Sequence, residues 1–148
     1  MTELNSIRLY LPDAKLRERI GEDVAPLADY TKALQAELTA LSAKSPPTTA
    51  KGLFVTVGVK PGKRAKVWCE AVEGDIPADT LATMEKKLGE VPCLEVDHGP
   101  IAFALEIRLG GQKPDKFPVM PKAFAEAAER AGNGLLVPER VFKVIWPD

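Results

Sequence analysis

The residues of this chain best suited to nucleophile, proton or metal chemistry are Cys69, Cys93 and the single histidine, His98. A thiol–imidazole pair needs the two groups within hydrogen-bond reach. Cys93 and His98 are five positions apart in "VPCLEVDHGPI", and no local motif presses them together. Asp97-His98-Gly99-Pro100 is a turn by composition, because Gly permits unusual dihedrals and Pro fixes the entry to the next segment. Glu95, Asp97 and His98 are the only cluster with metal-ligand chemistry, and an extended chain sends the side chains of Asp97 and His98 to opposite sides. Glu126 and Glu129 are three residues apart on an Ala-rich stretch and lack a visible facing partner for acid–base work. Gly110-Gly111 and Gly132-Asn133-Gly134 match neither a dinucleotide fingerprint nor a phosphate loop. No catalytic residue, metal ligand or cofactor site is therefore assigned. A small enzyme using Cys93 or His98 is the least favoured alternative.

Cys69 and Cys93 also form the one candidate disulfide. Their spacing is far from any CxxC arrangement, and closing the intervening loop would stabilise the fold by about 3–4 kcal/mol in the chain-entropy model. The alternative is two separate buried thiols, and the compartment decides between them. The basic residues Lys60, Lys63, Arg64 and Lys66 surround "KPGKR", with Trp68 the only nearby ring. With 20 basic and 21 acidic residues the net charge is −1, so no global field draws the chain to nucleic acid or to an anionic bilayer. A hydrophobic content of 45% and a charged content of 28% are globular values. No apolar run reaches the ~18–20 residues of a membrane span. The start "MTELNSIRLYLPDAK" is unlike a signal peptide. The expectation is a cytoplasmic protein, or a mature periplasmic chain whose export signal has been removed.

The elements that must position these residues can be read from periodicity. Ile7, Leu9 and Leu11 alternate in a short strand stopped by Pro12, and Asp13 opens a short helix carrying Leu16 and Ile20 and ended by Gly21. Pro26 suits the first turn of a longer helix striped with Leu27, Tyr30, Leu34, Leu38 and Leu41. "SAKSPPTTAK" then reads as a stiff, exposed connector. "GLFVTVGV" and "AKVWCEAV" alternate on either side of Pro61-Gly62, the dipeptide order of a type II turn, and form a hairpin. Asp75 is the expected cap of a helix that holds Pro77 in its first turn, carries Leu81, Met84 and Leu88, and ends at Gly89. Ile101, Phe103, Leu105, Ile107 and Leu109 alternate in a further strand. Beyond it, "QKPDKFPVMPK" is a proline-punctuated loop. A helix runs from Pro121 to Gly132, and a last short helix after Pro138 buries Val141, Phe142 and Ile145 or Trp146.

This order predicts a three-stranded antiparallel sheet. Val55, Val57, Val67, Phe103, Leu105 and Ile107 share one face and receive Leu81, Met84 and Leu88. The other face carries Thr56, Gly58, Ala102 and Ala104 beside Phe54 and Trp68. Its small residues invite close approach by the helix at 26–43 or by a second copy of the protein, so a homodimer is one expectation.

In the order and spacing of its parts, "LFVTVGVKPGKRAKVWCEAVEGDIPADTLATMEKKLGEVPCLEVDHGPIAFALEIRL" resembles the C-terminal domain of the TonB family. Gly62 falls in the hairpin turn, Pro92 after the helix, and Gly99-Pro100 in the turn before the last strand. The resemblance implies an α+β module with no cofactor, located in the bacterial envelope and binding protein partners, with strand edges able to pair with a partner peptide. It carries no site residue across. The whole chain is then expected to comprise a helical arm (1–44), a linker (45–51), a TonB-like core (52–111) and a helical tail (112–148), both ends packing on the core. The leading function is a non-enzymatic binding or adaptor protein of the bacterial cell envelope. Phe54, Trp68, Lys63 and Arg64 are its candidate partner surface, and an immunity-type inhibitor of a toxin enzyme is the alternative.

Overall fold

The structure, a computed structural model, describes residues 2–11, 13–21, 23–44, 49–110, 114–118, 120–130, 142 and 145–146. It is α+β. In chain order the elements are β1 (Thr2–Leu9), α1 (Asp13–Ile20), α2 (Ala25–Lys44), β2 (Gly52–Lys60), β3 (Arg64–Val72), α3 (Ala78–Gly89), β4 (Ile101–Leu109) and α4 (Lys122–Arg130). The strands form one antiparallel sheet in the order β1-β4-β2-β3.

The hairpin, its crossover helix and the third strand lie where the alternation places them. Lys60 pairs with Arg64 around the turn, and Gly62 takes the positive φ of 91° that Pro-Gly order requires there. Asp75 does not cap α3. Its N–H donates to Thr49 Oγ1, and α3 starts at Ala78 behind Pro77 without a side-chain cap.

Two expectations are corrected. The sheet has four strands, because the N-terminal segment adds β1 to the free side of β4. Its strand signal is weak: Glu3, Asn5 and Ser6 dilute the apolar alternation, and a bulge between Leu4 and Ser6 shifts the two-residue period. The helix at 26–43 does not cover the small-residue face. Tyr30, Leu34 and Leu38 of α2 join Leu53, Val55, Val57, Phe103, Leu105, Met84 and Leu88 in one cluster on the face that α3 also covers. Width explains this. Four strands at ~4.8 Å spacing span roughly 19 Å, about two helix diameters, so one helix leaves half of the branched face wet.

The small-residue face is covered by the C-terminal segment instead. Phe124 and Ala127 of α4, together with Phe142, pack on Ala102 and Trp68, while Phe117 packs on Phe54, Val72 and Ala104. A Cβ at Gly58 would stand 2.5 Å from the Phe142 ring, so the absent side chain is the seat of that ring. Phe142 and Ile145 are helical, and Trp146 donates its N–H to Phe142 O at 2.8 Å. Val141, Gly132, the 133–134 pair and Pro138 lie outside the described residues, as does 45–48 of the expected connector. The end of that connector is built into the fold. Ala50 is buried, and Lys51 bonds to Val72 on one side and Leu109 on the other.

Candidate functional site

His98 sits in a clamped turn. The Asp97 N–H donates to Arg19 O at 2.8 Å, and Arg19 Nη1 donates to Pro100 O at 2.6 Å, so the C-terminal end of α1 holds the bend from both sides. His98 (φ 65°) and Gly99 (φ 142°) take up the reversal, and a Cβ at Gly99 would meet the Arg19 guanidinium at 2.9 Å. The imidazole is 62% exposed, with Asp97 Oδ2 at 3.8 Å. Cys93 is half-buried against the helix-side cluster, and burial raises its thiol pKa, with Lys63 opposing the shift. Among the described residues no group of three or more His, Cys, Asp or Glu could hold a metal ion.

Cys69 and Cys93 are both free thiols, so the disulfide expected as one alternative is not formed here. Cys69 points into the core from β3, where desolvation, reinforced by the Glu85 and Glu70 charges, pushes its pKa far up. A buried thiol kept neutral in this way is a poor nucleophile.

The candidate partner surface divides. Phe54 is fully buried, and Trp68 is the hub of an aromatic cluster, with Phe124 at 5.0 Å, Phe142 at 6.0 Å and Trp146 at 6.4 Å between ring centroids. Phe54 is therefore closed off, while Trp68, which the chain's own tail also meets, stays partly exposed. Of the four residues, Lys63 and Arg64 are exposed at the hairpin tip. Lys60, next to that tip, is buried: its ammonium donates to Trp146 O and lies 4.5 Å from that ring's centroid.

The residues that sequence reasoning missed are at the sheet edges, and the two edges differ. On the β3 side, α3 lies alongside the strand, and Glu85 Oε2 accepts the outward N–H of Cys69 at 2.9 Å. On the β1 side α2 packs over the face of the strand at Leu4, and no element lies along the outer edge among the described residues. Tyr10 N–H bonds to Ala102 O, and Leu109 N–H bonds to Lys51 O on the opposite flank of β4. Antiparallel alternation then fixes the remaining directions. Arg8 and Ser6, opposite Ala104 and Glu106, bond inward to β4, while Leu4, Ile7 and Leu9, opposite Ile107, Leu105 and Phe103, turn their N–H and C=O groups outward. The bulge at Asn5 is what lets Leu4 and Ile7, three residues apart, point the same way.

Ile7 and Leu9 are also 42% and 47% exposed, two of the three large apolar side chains that the described residues leave open. On the other face of β1, Arg8 Nη2 binds the buried Glu106 carboxylate at 3.0 Å, assisted by Asn5 Nδ2 at 3.3 Å, and Glu3 binds Arg108 at 3.0 Å. The Ile7–Leu9 alternation was the signal that could have identified this edge. Only the pairing order shows that the strand is terminal.

No protein-family model, curated protein or solved structure matches the chain. Among the described residues no helix is long and apolar enough to cross a membrane.

Proposed function

We propose that this chain is a small non-enzymatic protein-binding domain of the bacterial envelope, and that it binds through the open edge of β1. The observation that carries this reading is the row of outward backbone groups at Leu4, Ile7 and Leu9, flanked by exposed apolar side chains. Natural sheets blunt such edges with charged side chains, proline, bulges or a covering element. Here the opposite edge has its cover, whereas β1 has neither proline nor lysine and carries only the Asn5 bulge and the charged Glu3 and Arg8, both already paired to β4. An extended segment laid along β1 gains main-chain hydrogen bonds from the strand and side-chain contacts from Ile7 and Leu9. The envelope location rests on the resemblance to the TonB C-terminal module, in which strand edges serve the same purpose.

A photo-crosslinking side chain introduced at Leu9 in living bacteria should trap a protein, and Ile7→Pro in the same chain should abolish the adduct. Proline at position 7 removes an N–H that faces outward, so the β1–β4 ladder keeps its bonds. Fractionating the crosslinked cells should place the adduct with the envelope, and an adduct confined to the cytoplasm would overturn the location. Sustained turnover of a hydrolase substrate by the purified chain, abolished by Cys93→Ser, would overturn the reading as a whole.

A further inference from the structure

Resting on β1 as the binding edge, we infer that its occupant is a second copy of this chain, paired antiparallel across a two-fold axis to make one continuous eight-stranded sheet. The edge is self-complementary in the register that sets Leu4 opposite Ile7. Setting Leu4 opposite Ile7 of the second copy lets two residues with outward N–H and C=O groups bond reciprocally, and the two-fold axis repeats the pair. The same register sets Glu3 opposite the copy's Arg8. Both lie on the tail-side face of the sheet, where they pair with Arg108 and Ala104, and they are 46% and 37% exposed. The ion pairs Arg108–Glu3 and Arg8–Glu106 then extend into a row of alternating charge across the junction. On the helix-side face the exposed Ile7 stands opposite the copy's Leu4, and the exposed Leu9 lies diagonal to that same Leu4.

The bulge fits this arrangement. Each strand carries one extra residue at Asn5, and the dyad runs between Asn5 and Ser6, so each copy's extra residue lies opposite the other's Ser6 and the ladders on both sides stay in step. Shifting the register until Arg8 faces its own copy places like charges directly opposite, which is destabilising. A strand-length contact is small for a stable interface, so self-association is concentration-dependent.

The test is sedimentation of the full chain from micromolar to millimolar concentration. Wild type should pass from monomer to dimer, while Ile7→Pro should remain monomeric with an unchanged circular dichroism spectrum and melting temperature. Glu3→Arg and Arg8→Glu should each weaken self-association about tenfold, since each sets two like-charge pairs across the dyad. An equimolar mixture of the two should recover a heterodimer, because both cross-strand pairs are then opposite in sign. If Arg8→Glu unfolds through repulsion with Glu106, the proline variant and Glu3→Arg alone decide. Monomeric wild type throughout, or an Ile7→Pro dimer, overturns the inference. The crosslink from Leu9 separates this from the parent reading. An adduct of twice the 16.0 kDa chain supports self-pairing. A heavier or lighter adduct that Ile7→Pro removes refutes self-pairing and leaves edge binding standing.

Discussion

The two faces of the sheet are closed by different strategies. The helix-side face is a bed of branched side chains, Leu53, Val55, Val57, Leu105 and Ile107, covered by α2 and α3 through Leu34, Leu38, Met84 and Leu88. The tail-side face is nearly bare at its centre, with Gly58, Ala102 and Ala104, and aromatic rings delivered by the C-terminal segment fill that centre between Phe54 and Trp68 of the sheet. The centre of one face is therefore filled by the sheet's own branched side chains, and the centre of the other by the lid. Both tryptophans, Trp68 and Trp146, lie on the tail side, whereas Tyr30 packs edge-on against Phe103 on the helix side. Tryptophan fluorescence thus reports one face selectively.

The largest expected effects come from deleting one anchor on each face. Phe142→Ala should cost about 3–5 kcal/mol and Leu34→Ala about 2–5 kcal/mol in urea unfolding, both side chains being essentially inaccessible. Their signatures should differ. Phe142→Ala should bring the tryptophan transition below the far-ultraviolet circular dichroism transition, while Leu34→Ala should lower both together. Coincident transitions in Phe142→Ala would show that the faces form one cooperative unit.

Gly58→Val sharpens the comparison without deleting anything. A side chain there displaces the Phe142 ring, and overpacking of this kind costs about 1–3 kcal/mol. The same size increase at Ala28, exposed on α2, should be close to neutral.

Alkaline pH should strain both faces, beginning on the helix side. Burial raises the pKa values of Cys69 and Tyr30 there and of Tyr10 on the tail side. Each group keeps its proton in the folded state longer than in the unfolded chain. Above ~8.5, where a free thiol ionises, the unfolded state therefore binds fewer protons, and stability falls as pH rises by at most about 1.4 kcal/mol per pH unit per group. Cys69→Ala should shrink this onset, the raised Cys93 thiol keeping the remainder, and leave the tyrosine one near pH ~10, measured by urea unfolding at stepped pH.

The smallest effect is stabilising. Thr56 is fully buried on the tail-side face, and its hydroxyl has no hydrogen-bond partner among the described residues. Thr56→Val keeps the shape, removes the desolvated oxygen and should raise stability by about 1 kcal/mol.

Much of the helix-side face was legible from periodicity. Leu53 to Val59, Val67 to Ala71 and Ile101 to Leu109 alternate cleanly, and strand side chains have no choice but to alternate. The His98 bend was legible because Asp-His-Gly-Pro carries its own turn chemistry, although its clamp, Arg19, lies 79 positions earlier and leaves no local trace. Phe54 and Trp68 looked like a partner surface for a sound reason: large rings beside small residues do invite a lid. That the lid is Phe117, Phe124 and Phe142 is a long-range fact. The edge at Ile7 and Leu9 escaped notice because an exposed apolar strand residue and a buried one read alike.

The chain alone thus determined which residues are extended or helical, which side chains share a sheet face, and where the turns fall, since these depend on dihedral preference and a two- or 3.6-residue period. Tertiary structure decided which helix covers which face, that the N-terminal segment becomes a fourth strand, and which edge stays open. Those choices depend on the width of the assembled sheet and on competition among distant segments for the same apolar surface, and no window of neighbouring residues contains either.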